Sequence, residues 1–176
     1  VAVDGIELTP DAFMQVNTMQ AAKLYKLALE FAQLSPEDVA LDLYCGVGTL
    51  SRLIAPHVKR VHGVEINAAA VESARRASAD SDNIGYECAD AATAELPESS
   101  VVFVDPPRKG LAPEVLTAVV KLAPRRVVYL SCDPATLSRD LKTFAQSGYT
   151  AVRVTALDMF PCTTHVETVT LLTRQN

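Results

Sequence analysis

From Val39 onward, short apolar runs rich in Val and Ile alternate with segments of helical periodicity, and this alternation restricts the fold more than any other property of the chain. Strands are expected at residues 39–44, 60–66, 84–88, 101–104 and 127–130, and helices at about 49–55, 68–79, 112–122 and 135–146. Such a series implies an α/β domain, a parallel sheet with helices on both faces. Ahead of it, Ala21, Leu24, Tyr25, Ala28 and Phe31 recur at helical spacing within residues 17–34, and Ser35-Pro36-Glu37-Asp38 closes that helix. Two final strands, at about 150–156 and 166–173, have no helix between them and are expected to form an antiparallel pair closing one edge. The sheet would then have seven strands, mostly parallel. Residues 1–16 form an extended lead-in with a turn at Gly5, and 17–176 a single domain.

A length of 176 residues is enough for one domain with a sizeable core. No apolar stretch approaches the roughly 20 residues that span a bilayer, and no leader pattern opens the chain, so a cytoplasmic protein without membrane contact is expected. The four cysteines are far apart and form no Cys-x-x-Cys pair, which disfavours zinc or iron–sulfur ligation. They read as thiols, mostly small buried packing residues. A net charge of -5 argues against broad, unaided nucleic-acid binding. The basic pairs Lys59-Arg60, Arg75-Arg76 and Arg125-Arg126 read as solvated surface, whereas Arg108-Lys109 lies beside a strand end.

Chemistry in a parallel α/β sheet collects at the carboxyl ends of its strands. After the first strand stands Asp42-Leu43-Tyr44-Cys45-Gly46-Val47-Gly48, whose Gly46 and Gly48 let the backbone approach a ligand. The third glycine of a dinucleotide fingerprint would fall at Ser51, so that pattern is incomplete. Glu65 closes the second strand, where an acid accepts hydrogen bonds from both ribose hydroxyls, and Asp90 follows the third, placed to receive an adenine amino group. The alternative for Asp42 and Asp90 is a capping role toward backbone N–H groups. Three acids at three successive strand ends favour an adenosine-containing ligand.

Cys132 stands where the run Val127–Leu130 stops at Ser131-Cys132-Asp133-Pro134. Pro134 suits the first position of a helix and Asp133 its cap, so Cys132 would lie near a helix N-terminus, which favours the thiolate, while the Asp133 carboxylate opposes it. A buried structural thiol is the plainer reading. Asp105-Pro106-Pro107-Arg108-Lys109-Gly110 follows the fourth strand, and its paired prolines make a stiff floor for a planar base. Arg108 follows the two prolines, able to meet a phosphate or base, or to be an exposed loop charge. Glu167 shares a strand face with Val169 and Leu171, where desolvation raises a carboxyl toward the range of a general base; otherwise it is a carboxylate at a frayed strand end. His165 reads as a shell residue.

The glycine loop, Glu65, Asp90 and the final antiparallel strand together resemble the Rossmann-like class I S-adenosylmethionine-dependent methyltransferases. Phe13-Met14-Gln15-Val16-Asn17, residues 42–48, 105–110 and 131–134, and Phe160-Pro161 followed by His165-Val166-Glu167 occur in an order that resembles the RNA 5-methyluridine methyltransferases, which modify tRNA or rRNA. The resemblance implies methyl transfer from S-adenosylmethionine to carbon 5 of a uridine through a covalent cysteine adduct. Carried over residue by residue, it makes Cys132 the nucleophile and Glu167 the base. Gln15, Asp42, Gly46, Gly48, Glu65, Asp90 and Asp105 become the cofactor pocket, with Asp105 also beside the target base. Arg108, Phe160 and His165 become substrate contacts. Members of that family usually carry an N-terminal RNA-binding domain and a central recognition region, some with an iron–sulfur cluster. Neither is found in this sequence, so RNA is expected to be held by a missing or separate domain. A 5-methylcytidine enzyme and a cofactor-binding module without activity are the competing readings.

Overall fold

The structure, a computed structural model, describes residues 2–3, 6–7, 17–159, 163 and 166–175. Gln15, Phe160 and His165 lie outside the described residues. A small antiparallel ribbon pairs β1 (Ala2–Val3) with β2 (Ile6–Glu7). The main body then runs α1 (Thr18–Ala32), β3 (Val39–Leu43), α2 (Thr49–Ile54), β4 (Arg60–Glu65), α3 (Ala68–Ala77) and β5 (Ile84–Cys88). It continues through β6 (Val101–Val104), α4 (Pro113–Leu122), β7 (Arg126–Ser131), α5 (Pro134–Gln146), β8 (Tyr149–Leu157) and β9 (Glu167–Arg174). Each expected element forms, with ends shifted by a residue or two.

The seven-stranded sheet has the order β5-β4-β3-β6-β7-β9-β8. The chain starts at β3, winds outward to β5, and returns to β6 on the other side of β3. The order of strands therefore reverses between β3 and β6, the position where α/β sheets open a ligand crevice. The expected antiparallel pair forms and closes one edge of the sheet, with its second strand on the inside. Strand β9 inserts between β7 and β8 and runs against both. Burial explains the order: residues 167–172 of β9 are all buried, which suits an interior strand, whereas most of β8 is exposed. A register shift between Ala151 and Arg153 further adapts β8 to the edge.

Strand alternation divides the core into two layers. Ala40, Val61, Phe103, Leu130 and Val169 face α1 and α2, meeting Leu24, Ala28, Leu50 and Ile54. Leu41, Val64, Val102, Val127 and Leu172 face the other way, toward Val115 and Val119 of α4 and Leu137 and Phe144 of α5. Helix starts follow their capping residues. Asn67 Oδ1 accepts from the amides of Ala69 and Ala70, and Asp133 Oδ1 from those of Ala135 and Thr136, with Pro134 opening α5. No helix among the described residues is long and apolar enough to cross a membrane.

Below the sheet, Asp38 corrects one expectation about the basic pairs. Its buried carboxylate accepts from Ser35 N (2.8 Å), Ser100 Oγ (2.7 Å) and the guanidinium of Arg125. Arg125 is thus a structural partner that ties the start of β7 to that of β3, not merely a solvated charge. Burial pushes the Asp38 carboxyl up, but the Arg125, Ser100 and Ser35 hydrogen bonds outweigh it and hold the group below the usual carboxylate range. A carboxyl lowered by folding contributes stability above its unfolded pKa and loses it as the pH falls through its folded one. Asp38→Ala is expected to cost about 2 kcal/mol in urea unfolding at pH 7, with the deficit shrinking below about pH 4. A variant as stable as wild type, or a deficit that persists unchanged in acid, contradicts this role.

Candidate active site

The alternation that builds the core also sorts the functional side chains. Asp42 is two residues beyond Ala40, Glu65 four beyond Val61, Asp105 two beyond Phe103, and Cys132 two beyond Leu130. All four therefore fall on the α1 side of the sheet, at the carboxyl ends of β3, β4, β6 and β7. Because β9 runs the opposite way, its first residue, Glu167, reaches the same end. Ser131 pairs with Thr168, so one step beyond the last pair Cys132 and Glu167 lie opposite each other on the same face. Thr168 Oγ1 donates to Ser131 O (3.2 Å) and ties the two strand ends together.

Cys132 is partly exposed. Burial raises its thiol pKa, followed by the carboxylates of Glu167 and Asp105, while Arg108 pulls it the other way. The opposition expected between helix N-terminus and Asp133 is thus overtaken by two acids from neighbouring strands. Glu167 is 5% exposed, far from the frayed-end alternative. Burial raises its pKa and Arg108 lowers it. Asp105 is pushed up to about 7 by burial, then by Glu167 and Asp42. Neither Asp105 nor Glu167 has a side-chain hydrogen bond among the described residues. Tyr25, expected only as an apolar position of α1, is a further member of this group. Its phenol is raised by burial and then by Asp105, Asp42 and Glu167.

The loop after β6 is fastened to the helix that Cys132 precedes. Thr136 Oγ1 donates to Arg108 O (3.0 Å), and the Arg139 guanidinium to Lys109 O (3.0 Å) and Leu111 O (3.2 Å). Buried Asp140 accepts from Leu111 N (2.8 Å), Tyr129 Oη (2.7 Å) and Arg139 Nε (2.9 Å). The Arg108 side chain stays exposed, and its charge acts on Cys132, Asp133 and Glu167.

The glycine loop is a tight, left-handed turn. Tyr44 (φ 64°), Gly46 (φ 53°) and Gly48 (φ 74°) are all left-handed, and the amides of Tyr44 and Cys45 both donate to Val64 O. A non-glycine residue in this region costs about 1–3 kcal/mol, a kind of strain that concentrates at functional sites. The two glycines serve different neighbours. No atom lies within 4 Å of where a Cβ of Gly46 would stand, so that side is open to a ligand. At Gly48 the same space is filled by Tyr86, whose hydroxyl oxygen would be 2.3 Å from such a Cβ.

Asp42, expected in the cofactor pocket, is fully buried and accepts from Ser51 Oγ (2.5 Å). Burial pushes its carboxyl up to about 7. Ser51 stands where the third glycine would be, so a hydroxyl–carboxyl pair braces the loop from beneath. Glu65 Oε2 accepts from Gly46 N (3.1 Å) and Oε1 from Asn67 N (2.8 Å), leaving further lone pairs on both oxygens. Asp90 is exposed and accepts from Ala92 N (2.9 Å), the local backbone role set beside its ligand role above. Ile66, 66% exposed directly after Glu65, supplies an apolar surface that was missed from sequence; a large aliphatic residue after a strand-end acid is its signal. Cys88 departs from the buried-thiol expectation and is exposed. Open space above Gly46, the Glu65 oxygens, the bare Ile66 side chain and Asp90 together fit an adenosine moiety. Asn17 caps α1 and donates from Nδ2 to Met159 O (3.2 Å), joining the residue that follows Gln15-Val16 to the one that precedes Phe160.

Comparison with known proteins agrees with this geometry. Residues 93–175 match the model of the tRNA (uracil-5-)-methyltransferase family, and residues 40–105 a general methyltransferase-domain model. Curated relatives include proteins named as uncharacterised RNA methyltransferases from Lactobacillus johnsonii and Clostridium tetani. The first is 41% identical over 97% of this chain and 40% of its own length, the second 43% over 94% and 38%. The chain thus spans about two-fifths of these relatives. Among solved structures, the Pyrococcus abyssi tRNA (uracil-54, C5)-methyltransferase in complex with S-adenosyl-L-homocysteine superposes with TM-score 0.79. It is 34% identical, over 94% of this chain and 41% of that one. The Bradyrhizobium japonicum N-methyltransferase NodS with the same ligand (TM-score 0.76, 16% identity, 96% of this chain and 94% of that one) shares the fold. The sheet, the crevice at its carboxyl edge and these matches lead to one conclusion: the chain is a Rossmann-like class I methyltransferase domain with S-adenosylmethionine as its cofactor, similar over residues 93–175 to the tRNA (uracil-5-)-methyltransferase family.

Proposed function

We propose that this domain catalyses methylation of carbon 5 of a uridine in RNA, with Cys132 as nucleophile and Glu167 as base. The observation that carries this reading is the opposition of Cys132 and Glu167 across the end of β7 and β9, on the face that also holds the glycine loop. Carbon 5 of uracil is a weak nucleophile. Addition of the Cys132 sulfur to carbon 6 turns the ring into an enolate whose carbon 5 can take a methyl group. The cofactor's sulfonium centre supplies that methyl as an electrophile. Glu167 then removes the proton left on carbon 5, the ring electrons expel the Cys132 sulfur, and the carbon 5–carbon 6 double bond re-forms.

The electrostatics suit the two protein steps. A thiol raised by burial and two nearby acids stays protonated at rest, which guards it against adventitious reaction. Asp105, with a carboxyl near 7 and no hydrogen bond among the described residues, is able to exchange a proton at neutral pH beside it. Burial makes Glu167 a stronger base than an exposed carboxylate, as removal of a carbon-bound proton requires. Arg108 supplies the positive charge that favours both the thiolate and an approaching phosphate. Glu65 would hold the ribose hydroxyls, Ile66 and Asp90 the adenine, and Gly46 the close approach of the cofactor backbone; Asp42 acts from below. Gln15, Phe160 and His165 complete the proposed cofactor and base contacts. The target base would leave its stack to reach a thiol at the sheet edge. RNA recognition itself is assigned to sequence of the kind that makes up the other three-fifths of the relatives.

The test is incubation with RNA containing 5-fluorouridine and S-adenosylmethionine, using the chain alone and joined to the remaining part of a curated relative. Fluorine cannot leave as a proton does, so a methylated protein–RNA adduct is expected to accumulate. Cys132→Ser should abolish it, and Glu167→Gln should trap an adduct on ordinary uridine RNA. Absence of any adduct with the joined protein contradicts the mechanism.

The thiol gives a second prediction. Peptide-resolved alkylation of Cys132 by iodoacetamide is expected to reach half its maximal rate at a pH above the value of about 8.5 for a free cysteine. Glu167→Gln removes a negative charge and should move that midpoint down, while Arg108→Ala should move it up. A midpoint at or below that of a free thiol, or one indifferent to Glu167, contradicts the electrostatic account.

A further inference from the structure

We propose that Tyr86 is a positioning residue for the cofactor, its phenol acting as the strut that holds the loop of residues 45–48 in its binding shape. The proposal rests on the reading of that loop as the adenosine site. Tyr86 projects from β5 into the layer between the sheet and α3. There its hydroxyl would be 2.3 Å and its ring carbon Cζ 2.7 Å from a Cβ on Gly48, with Ala74 Cβ of α3 the next neighbour at 3.0 Å. Real Cβ atoms do not approach so closely, so Gly48 lacks a side chain because Tyr86 occupies its space. The ring is gripped from a second side as well. A Cβ on Gly63 of β4 would lie 2.6 Å from Tyr86 Cδ1 and 2.9 Å from Cys45 Sγ. Two glycines on different elements thus leave a slot for one tyrosine, and the slot runs directly beneath the loop.

The hydroxyl is anchored at its far end. Ser78 Oγ, just beyond α3, lies 3.0 Å from Tyr86 Oη, and the Tyr86 carbonyl accepts from Arg75 of α3 (2.9 Å). Ser51 also lies close enough to act on the phenol, and donates in turn to Asp42. Tyr86 therefore joins three elements, α2, α3 and β5, below a turn that is entered through Tyr44, a non-glycine residue in the strained left-handed region (φ 64°). Such a turn persists only when its surroundings over-determine it. Gly46, with its open side and its amide on Glu65, is the part of the loop that meets ligand. Tyr86 touches the loop at Gly48 and acts through it.

The test uses S-adenosyl-L-homocysteine as the probe, by titration calorimetry, with hydrogen exchange of the ligand-free protein alongside. Tyr86→Phe keeps the ring and removes the hydroxyl that fills the space beside Gly48. It is expected to raise the dissociation constant about fivefold, and to speed exchange of the amides of residues 46–49 while leaving those of β7 and α5 unchanged. Ser78→Ala, which frees the phenol without opening a gap under the loop, should shift both measurements in the same direction and serves if Tyr86→Phe fails to fold. Gly63→Ala, pushing the ring from β4, should also weaken binding. Binding within twofold of wild type and unaltered local exchange in these variants overturn the proposal. Exchange that accelerates uniformly across the sheet overturns it too, because that is the signature of lost stability alone. If wild type itself takes no S-adenosyl-L-homocysteine, the reading of the loop as a cofactor site fails, and the strut falls with it.

Discussion

The antiparallel pairing of β9 against β7 is the constraint on which the site depends. Every other strand of the sheet points its carboxyl end into the crevice and can deliver a residue only after it stops. Strand β9 arrives from the opposite direction and delivers Glu167 as it begins. The ladder fixes Ser131 against Thr168, and the period of two then puts Cys132 and Glu167 on one face. A slip of one residue would turn Glu167 to the α5 side and bring Thr168 round in its place. The buried residues of β9 lock the register, since the same slip would carry Val169 and Leu171 out of the α1 layer and drive Thr168 and Thr170 into it. Packing in the core is therefore what aligns the two groups proposed to share a pyrimidine.

The buried and part-buried acids of this domain fall into two kinds. Asp38 and Asp140 are fully engaged, each held by an arginine and by backbone and hydroxyl donors. They fasten β3 to β7 below the sheet and the Arg108 loop to α5 above it. Asp105 and Glu167 have no hydrogen bonds among the described residues, and Asp42 has only its serine. Burial without compensation raises their proton affinity, and their mutual repulsion adds to it for Asp105. A protein that satisfies its structural carboxylates and leaves those at the crevice wanting partners has a site with affinity left for a polar ligand. Arg108 is the cation whose charge reaches Cys132, Asp133 and Glu167 alike, and it sits on the loop that α5 secures.

Much of this was legible from residue order. The apolar runs mark the strands, and the abrupt endings at Asp42, Glu65, Asp105 and Cys132 mark one edge of the sheet because its alternation carries core positions directly into it. Glu167 followed the same logic. The position of β9 inside β8 was not legible, because two strands joined by a connection can pair in either order and only their relative burial decides. Gly48 was assigned to a ligand and belongs to Tyr86, a contact between residues 38 positions apart that no local pattern announces. Asp42 is buried and held by the hydroxyl of Ser51, a partner that the incomplete glycine motif does not announce. Arg125 looked like surface because its partner, Asp38, is distant in sequence. Tyr25 looked like packing because its helical spacing is that of a core residue, and only the approach of α1 to the strand ends sets its phenol among acids.

The central claim is that one pyrimidine is held between the Cys132 sulfur and the Glu167 carboxylate. It is tested most directly with RNA carrying tritium at carbon 5 of its uridines. The account predicts that wild-type protein, joined to the remainder of a relative, releases tritium to water in step with methyl transfer, and that Glu167→Gln transfers the methyl group while retaining the tritium. Methylated RNA that keeps its tritium after reaction with the wild type, or release by Glu167→Gln at the wild-type rate, would contradict it.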